Sequence, residues 1–274
     1  MNWLRPRLNL NNFCIEFKNH QELRSSMKNY TAQLGATLIL NNHGEKTTVD
    51  LYSKEGLDML SNLWIKSAAE HRYMYESTWL GRPVIQFPTD IVAVQELLWK
   101  LQPDVVVETG VAHGGSLVLS ASILELIGRG KVVGVDIEIR PHNRIAIEAH
   151  PLKHRIELIE GSSIASETLD LVKKAIGDAK SVLVFLDSNH SEAHVLKELE
   201  LYGELVTPGS YLVAHDGAQA WVWDIPRGKP EWKDDHPLDA IHKFIAKHPE
   251  FTIDTHWTRL GITSSPDGWL RKQD

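Results

Sequence analysis

Apolar and polar positions follow two regimes along the chain. From Thr89 onward, short apolar runs alternate with longer stretches in which apolar residues recur every three or four positions. The runs at 105–107, 132–135, 156–159, 182–186 and 211–214 read as strands. The stretches 114–127, 144–149, 165–176 and 192–205 read as helices, and Leu238, Ile241 and Ile245 mark another. An earlier helix is expected to be capped by Thr89, to bury Ile91, Val94, Leu98 and Leu101, and to stop before Pro103. Residues 251–253 and a last strand near Trp269 close the chain. Strands alternating with helices predict the α/β class: a Rossmann-like, mainly parallel sheet with helices on both faces. Ligands of such sheets bind beyond the carboxyl ends of the strands, near the point where strand order reverses.

Before Thr89 the pattern is weaker. Residues 1–35 give no firm assignment. The β-prone runs 36–40 and 47–52 flank Asn41-Asn42-His43-Gly44, which suits a hairpin turn. Leu57, Leu60, Leu63, Trp64 and Ala68 have helical spacing. Gly81, Pro83 and Pro88 punctuate a loop over 78–88. The boundary is placed there, giving an N-terminal accessory segment, 1–77, that roofs the site or forms an oligomer interface, and a main domain, 78–274. A homo-oligomer is expected.

Composition narrows the function. The 274 residues carry 29 Lys and Arg against 36 Asp and Glu, a formal charge of −7, which argues against nucleic-acid and anionic-membrane binding. The single cysteine, Cys14, excludes an internal disulfide and a Cys-rich zinc site. No apolar run approaches the roughly 18 residues of a membrane span, and residues 1–20 lack the apolar core of a signal peptide. A cytoplasmic location is the expectation.

The candidate chemistry lies at the strand ends. The first strand runs into Glu108-Thr109-Gly110-Val111-Ala112-His113-Gly114-Gly115-Ser116, a glycine-rich turn leading to a helix N-terminus. Its glycines, at 110, 114 and 115, do not have the G-x-G-x-x-G spacing of dinucleotide sites, and the acid at its start suits a ligand with a positive group. Asp136 ends the second strand, where a carboxylate can accept both hydroxyls of a ribose. After the third strand, Ser162 and Ser163 are small enough to line an adenine pocket or simply to make a turn. The fourth and fifth strands end at Asp187 and at His215-Asp216, an oxygen-rich pair of neighbours suited to Mg²⁺ or Mn²⁺.

Together these features look like a class I S-adenosylmethionine-dependent methyltransferase. More narrowly, the chain resembles the cephalosporin hydroxylase/rhamnosyl O-methyltransferase family over roughly residues 78–274. The matching stretches are Trp79-Leu80-Gly81 with Pro83, Pro88 and Asp90, Val106-Val107-Glu108-Thr109-Gly110 with Gly114-Gly115-Ser116, and Gly134-Val135-Asp136-Ile137. They continue through Leu186-Asp187-Ser188-Asn189-His190-Ser191, His194-Val195-Leu196 and Leu205-Val206-Thr207-Pro208-Gly209-Ser210-Tyr211. The resemblance implies S-adenosyl-L-methionine as cofactor, its methionine end by Glu108 and Gly110 and its ribose by Asp136. The implied contact set is Glu108, Thr109, Gly110, His113, Gly114, Gly115, Ser116, Asp136, Ile137, Ser162, Ser163 and Asp187. It also implies a divalent metal near Asp187 and Asp216, with His215 as a further ligand. Family members tend to carry Glu-Asp where this chain has His215-Asp216; histidine is a poor Mg²⁺ ligand, so the identity of the metal stays open.

The reaction this predicts is methyl transfer to a hydroxyl of a small molecule such as a sugar, glycoside or natural product. His190 stands where related catechol-type enzymes place a lysine and is the first candidate base, followed by His113 and His215; Asp187 joins the catalytic set. Trp221, Trp223 and Trp232, with Asp224 and Arg227, suit a lid or platform for a sugar or planar acceptor, or packing against the N-terminal segment. Three rivals remain. Asp136 also fits a nicotinamide-dependent oxidoreductase, although the glycine spacing does not. His190-Ser191-Glu192 has the letters of an iron-hydroxylase His-x-Glu unit, but at a helix start. His215 in place of an acid leaves room for a non-catalytic cofactor-binding module.

Overall fold

The computed structural model describes residues 13–19, 36–42 and 45–274. The chain divides into two compact units, Met1–Trp64 and Ile65–Asp274, and the division falls within helix α1 (Lys54–Glu70).

In the first unit, β1 (Phe13–Asn19), β2 (Ala36–Asn42) and β3 (Glu45–Asp50) form an antiparallel sheet in that order. β2 and β3 pair from Thr37↔Asp50 to Asn42↔Glu45 and bury the facing pair Leu38 and Val49. The hairpin read from sequence is therefore present, while its turn residues His43 and Gly44 lie outside the described residues. Ser53 Oγ accepts the Gly56 N–H at 3.0 Å and caps α1.

The second unit is built on a seven-stranded sheet ordered β11-β12-β10-β9-β6-β7-β8. β6 (Val105–Thr109), β7 (Lys131–Asp136), β8 (Ile156–Glu160), β9 (Val182–Leu186) and β10 (Tyr211–Ala214) are parallel. β11 (Phe251–Ile253) and β12 (Trp269–Lys272) add an antiparallel edge. Strand order reverses between β6 and β9, which opens a cleft at their carboxyl ends. The expected α/β fold is observed.

Two apolar layers cover the sheet, as the period-2 alternation of its strands requires. Val106, Val132, Leu183 and Val213 face α2 (Pro88–Leu101) and α3 (Gly115–Ile127). Val105, Val107, Val133, Val184 and Leu212 face α5 (Ser166–Ile176), α6 (Glu192–Gly203) and α7 (Pro237–Ile245). α4 (Pro141–Glu148) begins three residues earlier than its apolar pattern, with Pro141 in the first turn. Thr89 does not cap α2. Pro88 starts that helix, and the Thr89 hydroxyl instead donates to the Ile262 carbonyl. A short hairpin, β4 (Thr78–Trp79) with β5 (Arg82–Pro83), lies against α3, where Trp79 Nε1 donates to Ser122 Oγ at 2.9 Å. Among the described residues no helix is long and apolar enough to cross a membrane.

Candidate active site

The turn after β6 is shaped by close backbone approach. Asp187 N donates to Thr109 O at 2.9 Å, and Gly110 N to Val135 O at 2.7 Å. Gly110 has φ +93°, and a Cβ there would lie 1.9 Å from the Asp187 carbonyl oxygen, so no side chain fits. At Gly115 a Cβ would meet Pro83 O at 2.0 Å, which is why the β4–β5 hairpin can sit on the helix N-terminus. Asp136 Oδ2 accepts the N–H groups of Val111 at 2.8 Å and Ala112 at 3.2 Å, and Oδ1 accepts Glu138 N. Two residues not singled out in the sequence brace the outer side of this turn. Arg82 donates to His113 O (Nε, 3.0 Å), and buried Asn143 donates to Ala112 O at 2.8 Å. Arg82 also reaches Asn143 Oδ1, so the loop, β5 and α4 are held together.

Glu108 is 3% exposed and accepts the Ser116 hydroxyl. Burial pushes its pKa up to about 8; the Ser116 hydrogen bond works against that and nearby Asp187 adds to it. The carboxyl does not line the groove above the turn; it faces a small void beside it, and Ser116 lines both.

The groove above this turn has a volume of about 210 Å³ and is lined by Gly110, Ala112, His113, Ser116, Asp187 and Ser188. Not every residue expected at the cofactor reaches it. Asp136 lies behind the turn it braces, and Ile137 is 73% exposed. Ser163 is buried and bonded to His194 Nε2 at 3.1 Å; that ring also lies 3.2 Å from Ser188 Oγ, which donates to buried Glu198 at 2.7 Å. This small polar network supports the loop after β9.

Next to the groove, Asp187, His190 and Asp216 converge with their ligand atoms all within 4.8 Å of one another. His190 Nδ1 is 3.1 Å from Asp216 Oδ2, and Nε2 is 3.6 Å from Asp187 Oδ1. Burial alone would lower the imidazole pKa, but the two carboxylates outweigh it and raise it to about 9. Burial also raises the Asp216 carboxyl, with His190 opposing and Asp187 reinforcing. Asp216 stays 39% exposed because it faces a cavity.

His215, expected beside Asp216 as a metal ligand and base, lies outside this cluster. Its ring is 4% exposed, bonds through Nδ1 to Ser265 Oγ at 2.8 Å, and packs between Phe185 and Trp269. The cause is local: Asp216 takes a left-handed conformation, φ +59°, so the two side chains diverge. His190 takes the third place. Behind His215, Thr263 Oγ1 and Ser264 N donate to buried Asp90, and Ser265 N donates to Thr263 Oγ1.

A chamber of about 360 Å³ opens on the far side of the cluster. It shares Tyr75, Ile85, Gln86, His190 and Asp216 with the groove, so the cluster lies where the two cavities meet. Of the three loop tryptophans, Trp232 lines the chamber; Trp221 and Trp223 do not.

Comparison with known proteins decides what this cleft belongs to. The family model for rhamnosyl O-methyltransferase/CmcI matches residues 71–273. The chain belongs to the rhamnosyl O-methyltransferase/CmcI family. It is an S-adenosylmethionine-dependent O-methyltransferase. Rhamnosyl O-methyltransferase of Mycobacterium leprae is 32% identical over 198 residues, covering 71% of this chain and 82% of the relative. The Mycobacterium tuberculosis H37Rv protein of the same name is 29% identical over 210 residues, covering 73% and 82%. A CmcI structure with Mg and SAM superposes with TM-score 0.52 at 18% identity, over 73% of this chain and 78% of that one, and supports the fold. An apo CmcI structure gives 0.53 at 18% identity, over 73% and 77%. The family match spans the sheet, the groove and the Asp187–His190–Asp216 cluster.

Proposed function

We propose that this family member transfers the methyl group of S-adenosylmethionine to a hydroxyl of a small molecule held in the 360 Å³ chamber, assisted by a divalent cation at Asp187 and Asp216. The observation that carries the reading is the position of the cluster, on the wall shared by groove and chamber. A rhamnosyl acceptor, as in the names of the mycobacterial relatives, is one member of this substrate class.

The donor set suits a cation. Two carboxylates this close repel each other unless a proton, an imidazolium or a metal ion lies between them. With His190 kept free as the base, the donors are the carboxylate oxygens of Asp187 and Asp216, a hard set that suits Mg²⁺ or Mn²⁺. Bound there, such an ion supplies Lewis acidity that makes an acceptor hydroxyl easier to deprotonate.

The chain's own residues do the rest. The Gly110 turn exposes backbone where the cofactor must approach, and Glu108, behind Ser116 on the groove wall, supplies the negative charge that attracts its ammonium group. Asp136 holds the turn shut through the N–H groups of Val111 and Ala112. His190 stays oriented through Nδ1 on Asp216 and takes the hydroxyl proton at Nε2, whose 3.6 Å separation from Asp187 is too long for a good hydrogen bond. The oxygen then forms its bond to the methyl carbon as the carbon–sulfur bond breaks, leaving the methyl ether, S-adenosylhomocysteine and a protonated imidazole. Closing the acceptor against the groove supplies the in-line geometry.

The test is calorimetry with S-adenosylhomocysteine and, separately, with Mn²⁺, on the wild type, Asp187→Ala and Asp216→Ala. Micromolar S-adenosylhomocysteine binding is expected in the wild type and in Asp216→Ala, with Mn²⁺ binding lost in both variants. Absence of S-adenosylhomocysteine binding would overturn the methyl-transfer reading; Mn²⁺ affinity unchanged in the variants would overturn the cation site alone.

A further inference from the structure

Resting on that methyl-transfer reading, we propose that the acceptor is an amphipathic molecule with an anionic group, its apolar body in the chamber and its anion held at the mouth by Arg72 and Arg227.

The chamber wall is mostly apolar: Ile65, Ala69, Phe87, Val222, Ile225 and Trp232 contribute to it. A sugar wants hydrogen-bond partners around its whole ring, whereas this wall offers few and suits a flat or aliphatic body. Gln86, Gln219 and Ser264 add neutral polar groups to the lining, and the charged ones are few. At the inner end stand His190 and Asp216, where the reacting hydroxyl belongs. The other charged groups of the lining are Arg72 and Arg227, both exposed.

These two arginines differ from most of the others. Arg82, Arg129, Arg144, Arg155, Arg259 and Arg271 are each engaged by a carboxylate or a carbonyl. Among the described residues, neither the Arg72 nor the Arg227 guanidinium has a carboxylate partner. The Arg72 guanidinium lies over the Tyr75 ring, 4.7 Å from its centroid, which leaves its N–H edge free for a ligand. Two acids close to these arginines in the chain are occupied elsewhere: Glu70 accepts the backbone N–H of Arg227 at 3.0 Å, and Asp224 pairs with Lys66 at 2.6 Å. A protein with a formal charge of −7 thus leaves two cations uncompensated at the rim of one cavity. Two planar guanidinium forks are well suited to a carboxylate or a phosphate.

With the anion on Arg72 and Arg227, the hydroxyl end of the acceptor is left for His190 and Asp216.

The experiment uses a matched pair of fluorescent probes on the full chain saturated with S-adenosylhomocysteine: anilinonaphthalene sulfonate, and N-phenylnaphthylamine, which has the same rings without the anion. The sulfonate should bind more tightly. In the double variant Arg72→Gln/Arg227→Gln it should lose about tenfold or more in affinity while the neutral probe changes less than about twofold. Ala69→Phe or Val222→Trp, each filling the chamber, should weaken both probes, and having two such variants guards against one failing to fold. Displacement by naphthylacetate and by naphthyl phosphate tells a carboxylate from a phosphate, the stronger competitor naming the anion. Equal affinity for the two probes, a sulfonate indifferent to the arginines, sulfonate binding that survives a filled chamber, or no displacement by either anion would each overturn the proposal. Binding of S-adenosylhomocysteine is measured separately on the double variant. Loss of probe selectivity in the double variant with that binding intact supports the anionic acceptor, whereas absence of that binding in the wild type counts against methyl transfer.

Discussion

Glu108 shows how one buried side chain couples affinity, stability and pH. Its folded pKa of about 8 lies above the ordinary glutamate value of 4.5, so the folded state holds a proton that the unfolded chain releases. Stability contributed this way is complete below about pH 4.5 and is lost as the pH rises through 8. Glu108→Gln should therefore stabilise the unliganded protein at pH 8 by on the order of 1–3 kcal/mol, measured by urea unfolding. The same substitution should weaken S-adenosylhomocysteine, because an amide carries no charge to attract the ammonium. In the wild type, affinity should fall by up to about tenfold per unit as the pH drops below 8, and Glu108→Gln should flatten that dependence. His190 has the opposite requirement. Its imidazole must be neutral to take a proton, and Asp216 and Asp187 raise its pKa to about 9. Turnover without added metal should therefore climb with pH toward 9, and a divalent cation, by neutralising the carboxylates, should move that rise to lower pH; a pH–rate series with and without Mn²⁺ checks both. At this scale the sequence was informative about residue type and weaker about direction. Asp187, His190 and Asp216 could be singled out because each follows a strand. The left-handed turn at Asp216, which sends His215 to Ser265 and away from the cluster, leaves no mark in the letters.

At the scale of elements, β6, β9 and β10 were legible because each is a short apolar run buried on both faces, bounded by turn residues. β1 was not, since Phe13–Asn19 alternates too little and is joined to β2 by a long intervening stretch. Contacts between distant elements were equally hidden. Asp90 lies in the first turn of α2 yet binds Thr263 and Ser264, more than 170 positions away, at 2.6 and 2.8 Å. This joins the start of α2 to the segment that anchors His215, and hence to the chain entering Asp216. Replacing Asp90 with Ala would leave a half-buried N–H and a buried hydroxyl without their acceptor, at a cost of about 2–4 kcal/mol. Guanidinium unfolding should show that loss. Asp90→Asn keeps one acceptor oxygen and should lose about half as much.

For the whole molecule, alternating strands and helices imply a parallel sheet with its site at the carboxyl edge, but not the antiparallel β12 inserted between β10 and β11. Nor does the sequence place the β4–β5 hairpin, whose neighbours Tyr75, Ile85 and Gln86 help to wall both cavities. That shared wall has a thermodynamic consequence. A ligand filling the groove touches residues that also shape the chamber, and it binds the folded state alone. At a concentration 100 times its Kd, such a ligand adds about 2.7 kcal/mol of stability. For a domain of this size, that is a rise in Tm of roughly 5–11 °C. S-Adenosylhomocysteine should produce a shift in this range, and the acceptor-like sulfonate probe should then bind more tightly than it does to the unliganded protein. Linkage makes the test reciprocal: whatever factor the cofactor product adds to the probe's affinity, the probe must add to the cofactor product's. Titrating each ligand in the presence and absence of the other should give the same factor in both directions, above one if the wall of Tyr75, Gln86 and His190 is ordered by either ligand. A factor of one in both directions would mean that groove and chamber, although adjoining, are filled independently.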